Sequence, residues 1–308
     1  MPAFLTVTFN PCIDQYTSVP ALRPGCKLRC SSPNFDPGGG GINVARAITR
    51  LGGDAIALYP AGGSTGTQLR TMLDAEDVRS AVIPIAGDTR CNTIVTDNST
   101  GLQYQLNMPG PSLERTDIEN ILGFIERQAT LEYLIISGSL APGMTTDIFS
   151  RLSALAQKKS CRLIVDVPGS ALKDAIKNGV YLIKPSIHEL LTIAEESDDE
   201  SLIKDLAKNL IAKGYCQVVV VSMGPAGALL VTKDGAQQIA APPVNVRGTV
   251  GAGDSMVAGI VLALHAGKPL KEAVSYGCIC GAAATLHPGT SLCQKEDVIN
   301  LMAATDKS

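Results

Sequence analysis

An α/β fold with a mostly parallel central sheet is predicted by three features of this 308-residue chain: short apolar runs, helical patterns between them, and glycine-rich turns at the junctions. The runs Phe4 to Phe9, Ala55 to Tyr59, Leu134 to Ile136, Leu163 to Val165, Leu182 to Ile183 and Val218 to Val221 are mostly rich in β-branched residues and read as strands buried on both faces. Helical patterns cover Asn43 to Leu51, Gln68 to Leu73, Ile118 to Arg127, Asp147 to Lys158 and Leu202 to Lys213. This β-α-β order places helices on both faces of one sheet. Two stretches break the rhythm, Gln15 to Asn34 and Asn92 to Met108. The second alternates around the turn Asp97-Asn98-Ser99-Thr100-Gly101 and reads as a hairpin. The two stretches are expected to pair as a small separate sheet.

At 45% hydrophobic residues the chain can bury a large core. No apolar run reaches the roughly 18 to 20 residues of a membrane span, and Met1-Pro2-Ala3-Phe4 lacks the basic-then-apolar layout of a signal peptide, so a cytoplasmic protein is expected. The net charge of -3 and the scattered Lys and Arg residues argue against a nucleic-acid surface. An anionic ligand would therefore need a local basic pocket. The nine cysteines include no paired CxxC motifs and read as reduced. Cys278 and Cys280 stand at i,i+2, point to different sides of a helix, and read as small buried residues.

Thr249-Val250-Gly251-Ala252-Gly253-Asp254 opens a helix over Ser255 to His265. Unpaired amides and the positive helix end can hold an oxyanion there, with Asp254 in reach to accept a proton from an attacking hydroxyl. The alternative is an acidic residue that merely complements the helix dipole. Asp14, Ser139, Asp166 and Lys184 stand at or near strand ends, where parallel sheets place ligand-binding loops. Lys27, Arg29 and Arg90 lie in or beside the two irregular segments, as basic groups of a phosphate-covering lid or as solvated charges.

Pro37-Gly38-Gly39-Gly40-Gly41-Ile42-Asn43 precedes a helix and would let a ligand approach the backbone. It fits a dinucleotide fingerprint poorly, because Asn43 stands where the third glycine belongs. No Walker A string is present. Gly62-Gly63-Ser64-Thr65-Gly66 matches the nucleophile-elbow string of serine hydrolases. Only His188, His265 and His287 exist as bases, and His265 sits in an apolar helix that suits packing. A turn-and-cap reading of Ser64 and Thr65 suffices.

The glycine-rich segments carry a resemblance to the ribokinase-like carbohydrate kinases known as the PfkB family, over essentially the whole chain. Asp36-Pro37-Gly38-Gly39-Gly40-Gly41-Ile42-Asn43-Val44-Ala45-Arg46 is similar to the family's N-terminal signature, and Thr249-Val250-Gly251-Ala252-Gly253-Asp254-Ser255 to its C-terminal one. Asn10-Pro11-Cys12-Ile13-Asp14, Lys27-Leu28-Arg29-Cys30 and Met108-Pro109-Gly110 look most like the phosphofructokinase branch, of the 6-phosphofructokinase kind. The resemblance implies a ribokinase-like three-layer sandwich with a small β-sheet lid, as one domain over residues 1–308 with lid segments at about 15–34 and 88–108. It also implies a homodimer through the lid sheets.

The implied activity is ATP-dependent transfer to a sugar-phosphate hydroxyl, from fructose-6-phosphate to fructose-1,6-bisphosphate, with 1-phosphofructokinase and tagatose-6-phosphate kinase as neighbouring activities. A non-catalytic sugar-phosphate sensor on the same fold would have no need of Asp254. The resemblance makes Asp254 the general base and the amides of Gly251, Ala252 and Gly253 the anion hole. Asp14, Gly38, Gly39 and Asn43 would hold the sugar, and Lys27, Arg90 and Ser139 would lie around the acceptor's phosphate or the transferred one. Arg29 would reach into a partner's site. Lys184, Ser222, Gly224 and Gly227 would lie near ATP, and Asp166 and Glu189 would contribute to Mg²⁺. Ser186 departs from the family's N-x-x-E motif, where Asn is expected. Ala284 to Ser291 resembles a monovalent-cation loop, which admits K⁺ as an activator, although His287 and Ser291 depart from the branch pattern.

Overall fold

The computed structural model describes residues 3–194, 202–287, 289 and 291–305. The first half of the chain forms β1 (Phe4–Val7), β2 (Cys12–Val19), β3 (Asn34–Gly38), α1 (Gly40–Arg50), β4 (Ala55–Ala61), α2 (Gly63–Ala75), β5 (Arg79–Pro84), β6 (Arg90–Asp97), β7 (Gln103–Leu106), α3 (Arg115–Arg127), β8 (Tyr133–Ser137) and α4 (Ile148–Lys159). The second half forms β9 (Arg162–Asp166), α5 (Gly169–Ala175), β10 (Val180–Ile183), α6 (Ile187–Ala194), α7 (Ile203–Ala212), β11 (Cys216–Ser222), β12 (Ala228–Thr232), β13 (Gly235–Ile239), α8 (Ala252–His265), α9 (Leu270–Ala284) and α10 (Lys295–Thr305).

Among the described residues the large sheet runs in the order β13-β12-β11-β10-β9-β8-β1-β4-β5. It is parallel from β5 to β11, and the β12–β13 hairpin closes one edge antiparallel. The central strands are buried on both faces, which is why they read as continuous apolar runs. In β8, Tyr133 and Ile135 enter the core beneath α1, α8 and α9, while Leu134 and Ile136 enter the opposite core with α3, α4 and α7. The expected three-layer sandwich with a mostly parallel sheet is thus observed. No described helix is long and apolar enough to cross a membrane.

The two irregular segments meet in a second sheet of order β3-β2-β6-β7. Its centre is a parallel pairing of β2 with β6, flanked by antiparallel partners. The sheet also takes in Cys12 to Asp14 and Phe35 to Gly38, beyond the expected segment, so Asp14 and Gly38 are lid residues as well as site candidates. Residues 20–33 carry no strand.

Helix α8 is fixed by close contact with α9. A Cβ on Gly259 would lie 2.7 Å from Cys280 Sγ, and one on Gly277 would lie 2.9 Å from the Met256 carbonyl. Both helices are buried around most of their circumference, so neither shows a single apolar stripe. Gly277→Ala is therefore expected to destabilise. Overpacking costs roughly 1 to 3 kcal/mol, against about 1 kcal/mol of helix propensity gained. The same change at Gly123 in α3, where the methyl would meet only the Arg127 guanidinium, is expected to stabilise. Urea denaturation of both variants checks this, and a Gly277→Ala midpoint at or above the parent's contradicts it.

Candidate active site

The chain moves outward from β1 to β4 and β5, then returns to β8 on the other side of β1. The gap between β1 and β8 is therefore the topological switch point, where open α/β sheets bind ligands beyond their strand C-termini. Asn10 follows β1, Ser137 ends β8, Asp166 ends β9, Lys184 follows β10 and Ser222 ends β11. All five line this edge, and the lid strands leave the large sheet after β1, as β2 and β3, and after β5, as β6 and β7.

Asp254 lies at this edge in the first turn of α8. Its Oδ2 accepts a hydrogen bond from Asn43 Nδ2 at 3.0 Å, and its Oδ1 accepts one from Ser137 Oγ at 3.3 Å. Burial, then the neighbouring Asp166 charge, pushes its carboxyl up to about 6, against the opposing pull of Asn43, Lys184 and Ser137. Gly251, the N-cap, is in the left-handed region at φ 79°, which a β-carbon would strain. The Ala252 N–H reaches the Thr249 carbonyl at 3.4 Å, while the amides of Gly253 and Asp254 bond to no described residue. The Gly251 N–H likewise bonds to no described residue, so of the expected Gly251-to-Gly253 set only the Ala252 amide is engaged, and the Asp254 amide is open beside them.

Lys184 and Asp166 form a buried ion pair at 3.3 Å, and the Lys184 ammonium lies 3.2 Å from where a Cβ on Gly253 would stand. Burial works against the Lys184 charge, but Asp166, Asp254 and Glu189 together outweigh it and hold its ammonium above the ordinary range. Burial also raises the Asp166 carboxyl, with Lys184 opposing and Glu189 adding. One ammonium thus serves three carboxylates, an excess of negative charge that suits a divalent cation. Ser186 and Glu189 cap α6 reciprocally: the Ser186 N–H and hydroxyl donate to Glu189 Oε2, and the Glu189 N–H donates to Ser186 Oγ. Ser186 therefore serves the capping function at the departed motif position and orients Glu189.

The glycines before α1 are required by the protein itself. A Cβ on Gly38 would collide with Asp14 Oδ2, one on Gly40 with Ser137 Oγ, and one on Gly41 would stand 2.6 Å from both Thr8 Oγ1 and the Val7 carbonyl. They seat α1 against β1 and β8, a packing role beside the expected approach of a ligand to their backbone. Gly39, the N-cap, has φ 111°, and the Ile42 N–H is capped by the buried Thr8 hydroxyl at 2.8 Å. Gly227 has a similar packing role, because a Cβ there would collide with the Ile239 carbonyl. Gly224 begins the turn after Ser222, whose hydroxyl donates to the Pro185 carbonyl at 3.4 Å.

On the lid side, Asp14 Oδ1 accepts from Asn92 Nδ2 at 2.8 Å, its register partner across β2 and β6. Arg90 donates to the carbonyls of Met108 and Asn10, both at 2.9 Å, so it ties the lid hairpin to the loop after β1. Asn10 Nδ2 donates to Ser139 Oγ at 3.1 Å. Asn10 Oδ1 and Arg90 Nε are buried without partners. They are an unused acceptor and an unused donor where the lid meets the loop after β1, of the kind a water or a polar ligand can satisfy. Lys27 and Arg29 stand apart, exposed in the strandless segment and bonded to no described residue.

The structure therefore gathers Asp254, Asn43, Asp166, Lys184 and Glu189 into one cluster, and Asp14, Gly38, Arg90 and Ser139 into its lid side. Sequence reasoning missed Thr8, Asn10, Asn92 and Ser137 as individual site residues. Ser137 directly follows the run Leu134 to Ile136 already read as a strand, so the reasoning applied to Ser139 would have found it. Asn92 depends on the β2–β6 register, which no local pattern gives.

Ser64 is corrected from a cap to an exposed residue of the first turn of α2, with Gly62 as the N-cap and no hydrogen bond from its hydroxyl among the described residues. No base is engaged, and the hydrolase reading falls. The Thr65 hydroxyl instead donates to the Thr89 carbonyl at 2.6 Å. His265 packs edge-on against Phe4, with ring centroids 5.1 Å apart, and Nδ1 lies 2.9 Å from Glu132. All nine cysteines are free. In the expected cation loop, Pro288 and Thr290 lie outside the described residues, and His287 Nε2 lies 2.7 Å from Asp297.

Comparison with known proteins accords with this geometry. The ATP-dependent 6-phosphofructokinase isozyme 2 of Mycobacterium tuberculosis is 42% identical over 299 residues, covering 96% of this chain and 88% of the relative. The isozyme 2 of Escherichia coli K12 is 40% identical over 305 residues, covering 98% and 99%. A 1-phosphofructokinase of Borreliella burgdorferi is 31% identical over 300 residues, covering 96% and 95%. Among solved structures, phosphofructokinase-2 from Escherichia coli in complex with potassium superposes with a TM-score of 0.93 at 40% identity, covering 99% of this chain and 100% of that one. The same enzyme in complex with substrates and products gives 0.92 at 39% identity, covering 98% and 99%. The model of the pfkB family of carbohydrate kinases matches residues 7–297, and with these relatives it shows that the chain belongs to that family.

Proposed function

We propose that this carbohydrate kinase phosphorylates fructose-6-phosphate with ATP to give fructose-1,6-bisphosphate, with Asp254 as the general base. The observation that carries the reading is a carboxylate tuned to about 6 beside two open amides of α8, at the switch point of the sheet. The isozyme 2 relatives support the choice of substrate.

In this reading the sugar lies under the lid, with Asp14, Gly38, Gly39 and Asn43 along its hydroxyls and Arg90, Ser139 and Lys27 around its phosphate. Arg90 Nε and Asn10 Oδ1 gain the partners they lack. Asp254 takes the proton of the attacking hydroxyl as that oxygen bonds to the terminal phosphorus of ATP and the bond to the ADP oxygen breaks. Charge on the transferring phosphoryl group meets the amides of Gly253 and Asp254, the positive end of α8 and the Lys184 ammonium. The ATP lies beside Lys184, Ser222, Gly224 and Gly227. Mg²⁺ fits the surplus of carboxylates around Lys184, held through the phosphates with Asp166 and Glu189 as its protein contributors, and would neutralise phosphate charge. K⁺ at the loop Ala284 to Ser291 is supported by the likeness to the potassium complex.

The outer lid surface carries Phe35, Leu102, Tyr104, Leu106 and Met108, all exposed, with Tyr104 at 41% and Leu106 at 51%. An apolar β-sheet face of this kind supports a homodimer through the lids, and Arg29 in the loop beside it would reach the partner's site.

Asp254→Asn is expected to lower kcat by about 10² to 10⁴. In the parent, kcat/KM should rise with pH through a limb near the raised Asp254 value of about 6. Because folding raises this pKa, ionised Asp254 costs stability, and the cost appears as pH rises from the unfolded value through about 6. The Asn variant should accordingly melt no lower than the parent at pH 8. Near-normal turnover in a folded variant would remove the assignment.

For Arg90→Ala, kcat/KM for fructose-6-phosphate should drop by roughly ten- to a hundredfold, the worth of a hydrogen bond to a charged group. Fructose should be far less affected and the KM for ATP unchanged, with melting followed alongside because two backbone contacts are lost. Equal losses on both sugars would overturn the phosphate role. Assaying fructose-1-phosphate in parallel separates the 1-phosphofructokinase activity.

A further inference from the structure

Arg46 is 1% exposed, one of the largest fully buried side chains, and the reaction above gives it no task. Its Nε and Nη2 fork onto Glu76 Oε2 and Oε1 at 2.9 and 2.6 Å. Burial would raise the Glu76 carboxyl, but Arg46 and Arg50 outweigh it and hold the group below its ordinary range, so Glu76 is ionised at neutral pH. That contact alone would make Arg46 a clamp between α1 and the end of α2. Its third nitrogen goes elsewhere. Nη1 turns away from Glu76 to the Pro37 carbonyl at 2.8 Å and to Asn43 Oδ1 at 3.4 Å.

The second of these contacts has a chemical consequence. Asn43 and Arg46 are three residues apart on α1 and so share a face. A guanidinium has donors and no acceptor, so the Asn43 atom that faces it has to be the carbonyl oxygen. The amide nitrogen is then the end presented to Asp254, at 3.0 Å from Oδ2. An Asn43 rotated by half a turn would set its oxygen against the carboxylate and remove one of the two donors that hold it. The Pro37 contact pins the glycine turn before α1 at the same time, and Glu76 fixes the fork from behind.

We propose that Arg46, anchored by Glu76, is a positioning residue that sets the orientation of the Asn43 amide and so presents its N–H to Asp254. Its effect on turnover rests on Asp254 being the base, but the orientation itself does not. The other groups facing Asp254 are Ser137 from β8, Asp166 from β9 and Lys184 after β10, with Glu189 of α6 behind Lys184. None of them bonds to Arg46 or Glu76, so substitution there leaves them in place.

The test uses two variants of the full chain. Arg46→Lys keeps a cation for Glu76 but lacks the fork that reaches Glu76, Pro37 and Asn43 together. Glu76→Gln keeps the shape of the anchor and removes its charge. In protein labelled with ¹⁵N-asparagine, the Asn43 side-chain amide, identified by its loss in Asn43→Gln, should follow the Asp254 titration in the parent. In Arg46→Lys the Asn43 signals should move and cease to follow it. The acidic limb of kcat/KM should rise by about one pH unit, the lower end of what a hydrogen bond to a charged group is worth. Turnover at pH 7 should fall several-fold with an unchanged KM for ATP. Glu76→Gln should change both in the same direction and by less. Unmoved Asn43 signals and an unmoved limb in folded variants, with only the melting temperature lowered, would overturn the proposal and leave Arg46 a structural clamp. If Asp254→Asn retains turnover while the Asn43 signals still move in Arg46→Lys, the base assignment falls and the positioning role stands.

Discussion

How closely backbone can approach backbone at the switch point between β1 and β8 decides what the rest of this molecule can do. The N-terminus of α1 lies against Ser137 and Thr8, at a distance that only glycine permits at positions 40 and 41. That seating carries Asn43 to Asp254 from one side while Ser137 reaches it from the other. Helix α8 is set with similar closeness, through its Gly259 against α9, through Gly277 of α9 against α8, and through Gly251 against Leu292. A methyl group at any of these positions would displace a helix whose N-terminus has to be placed to within a fraction of an ångström.

The electrostatics follow from that geometry. Asp166, Glu189 and Asp254 converge on the single ammonium of Lys184, so their charges are only partly compensated. Burial together with this surplus keeps Asp254 basic enough to take a proton near neutral pH, while the hydrogen bonds of Asn43 and Ser137 prevent a larger rise. The same surplus is what the proposed Mg²⁺ would offset. The site is thus held in a state that costs folding stability, as functional sites commonly are, and the large two-faced core offsets it.

Much of the fold was legible because the parallel strands are buried on both faces and leave unbroken apolar runs. The hairpin around Asp97 to Gly101 and Asp254 at its glycine turn were legible for equally local reasons. What escaped depended on long-range contact. Helix α9 shows no single stripe, since most of its faces are buried. The Asp14–Asn92 pair exists only in the β2–β6 register. Arg46 was quoted only within a signature, because a lone charge in a helix reads as solvated surface, and its burial requires Glu76 from the far end of α2. The packing role of the glycines of 38–41 was not legible, because their neighbours Asp14, Ser137 and Thr8 come from other strands.

The central claim is that Asp254 is a carboxylate raised by its surroundings and ready to accept a proton. Titration of ¹³C-carboxyl-labelled aspartate by NMR measures this directly, with the Asp254 signal identified by its absence in Asp254→Asn. A midpoint near 6 is predicted, the value set by burial and Asp166 against Asn43, Lys184 and Ser137. A midpoint at the ordinary aspartate value of about 3.9 would contradict the account.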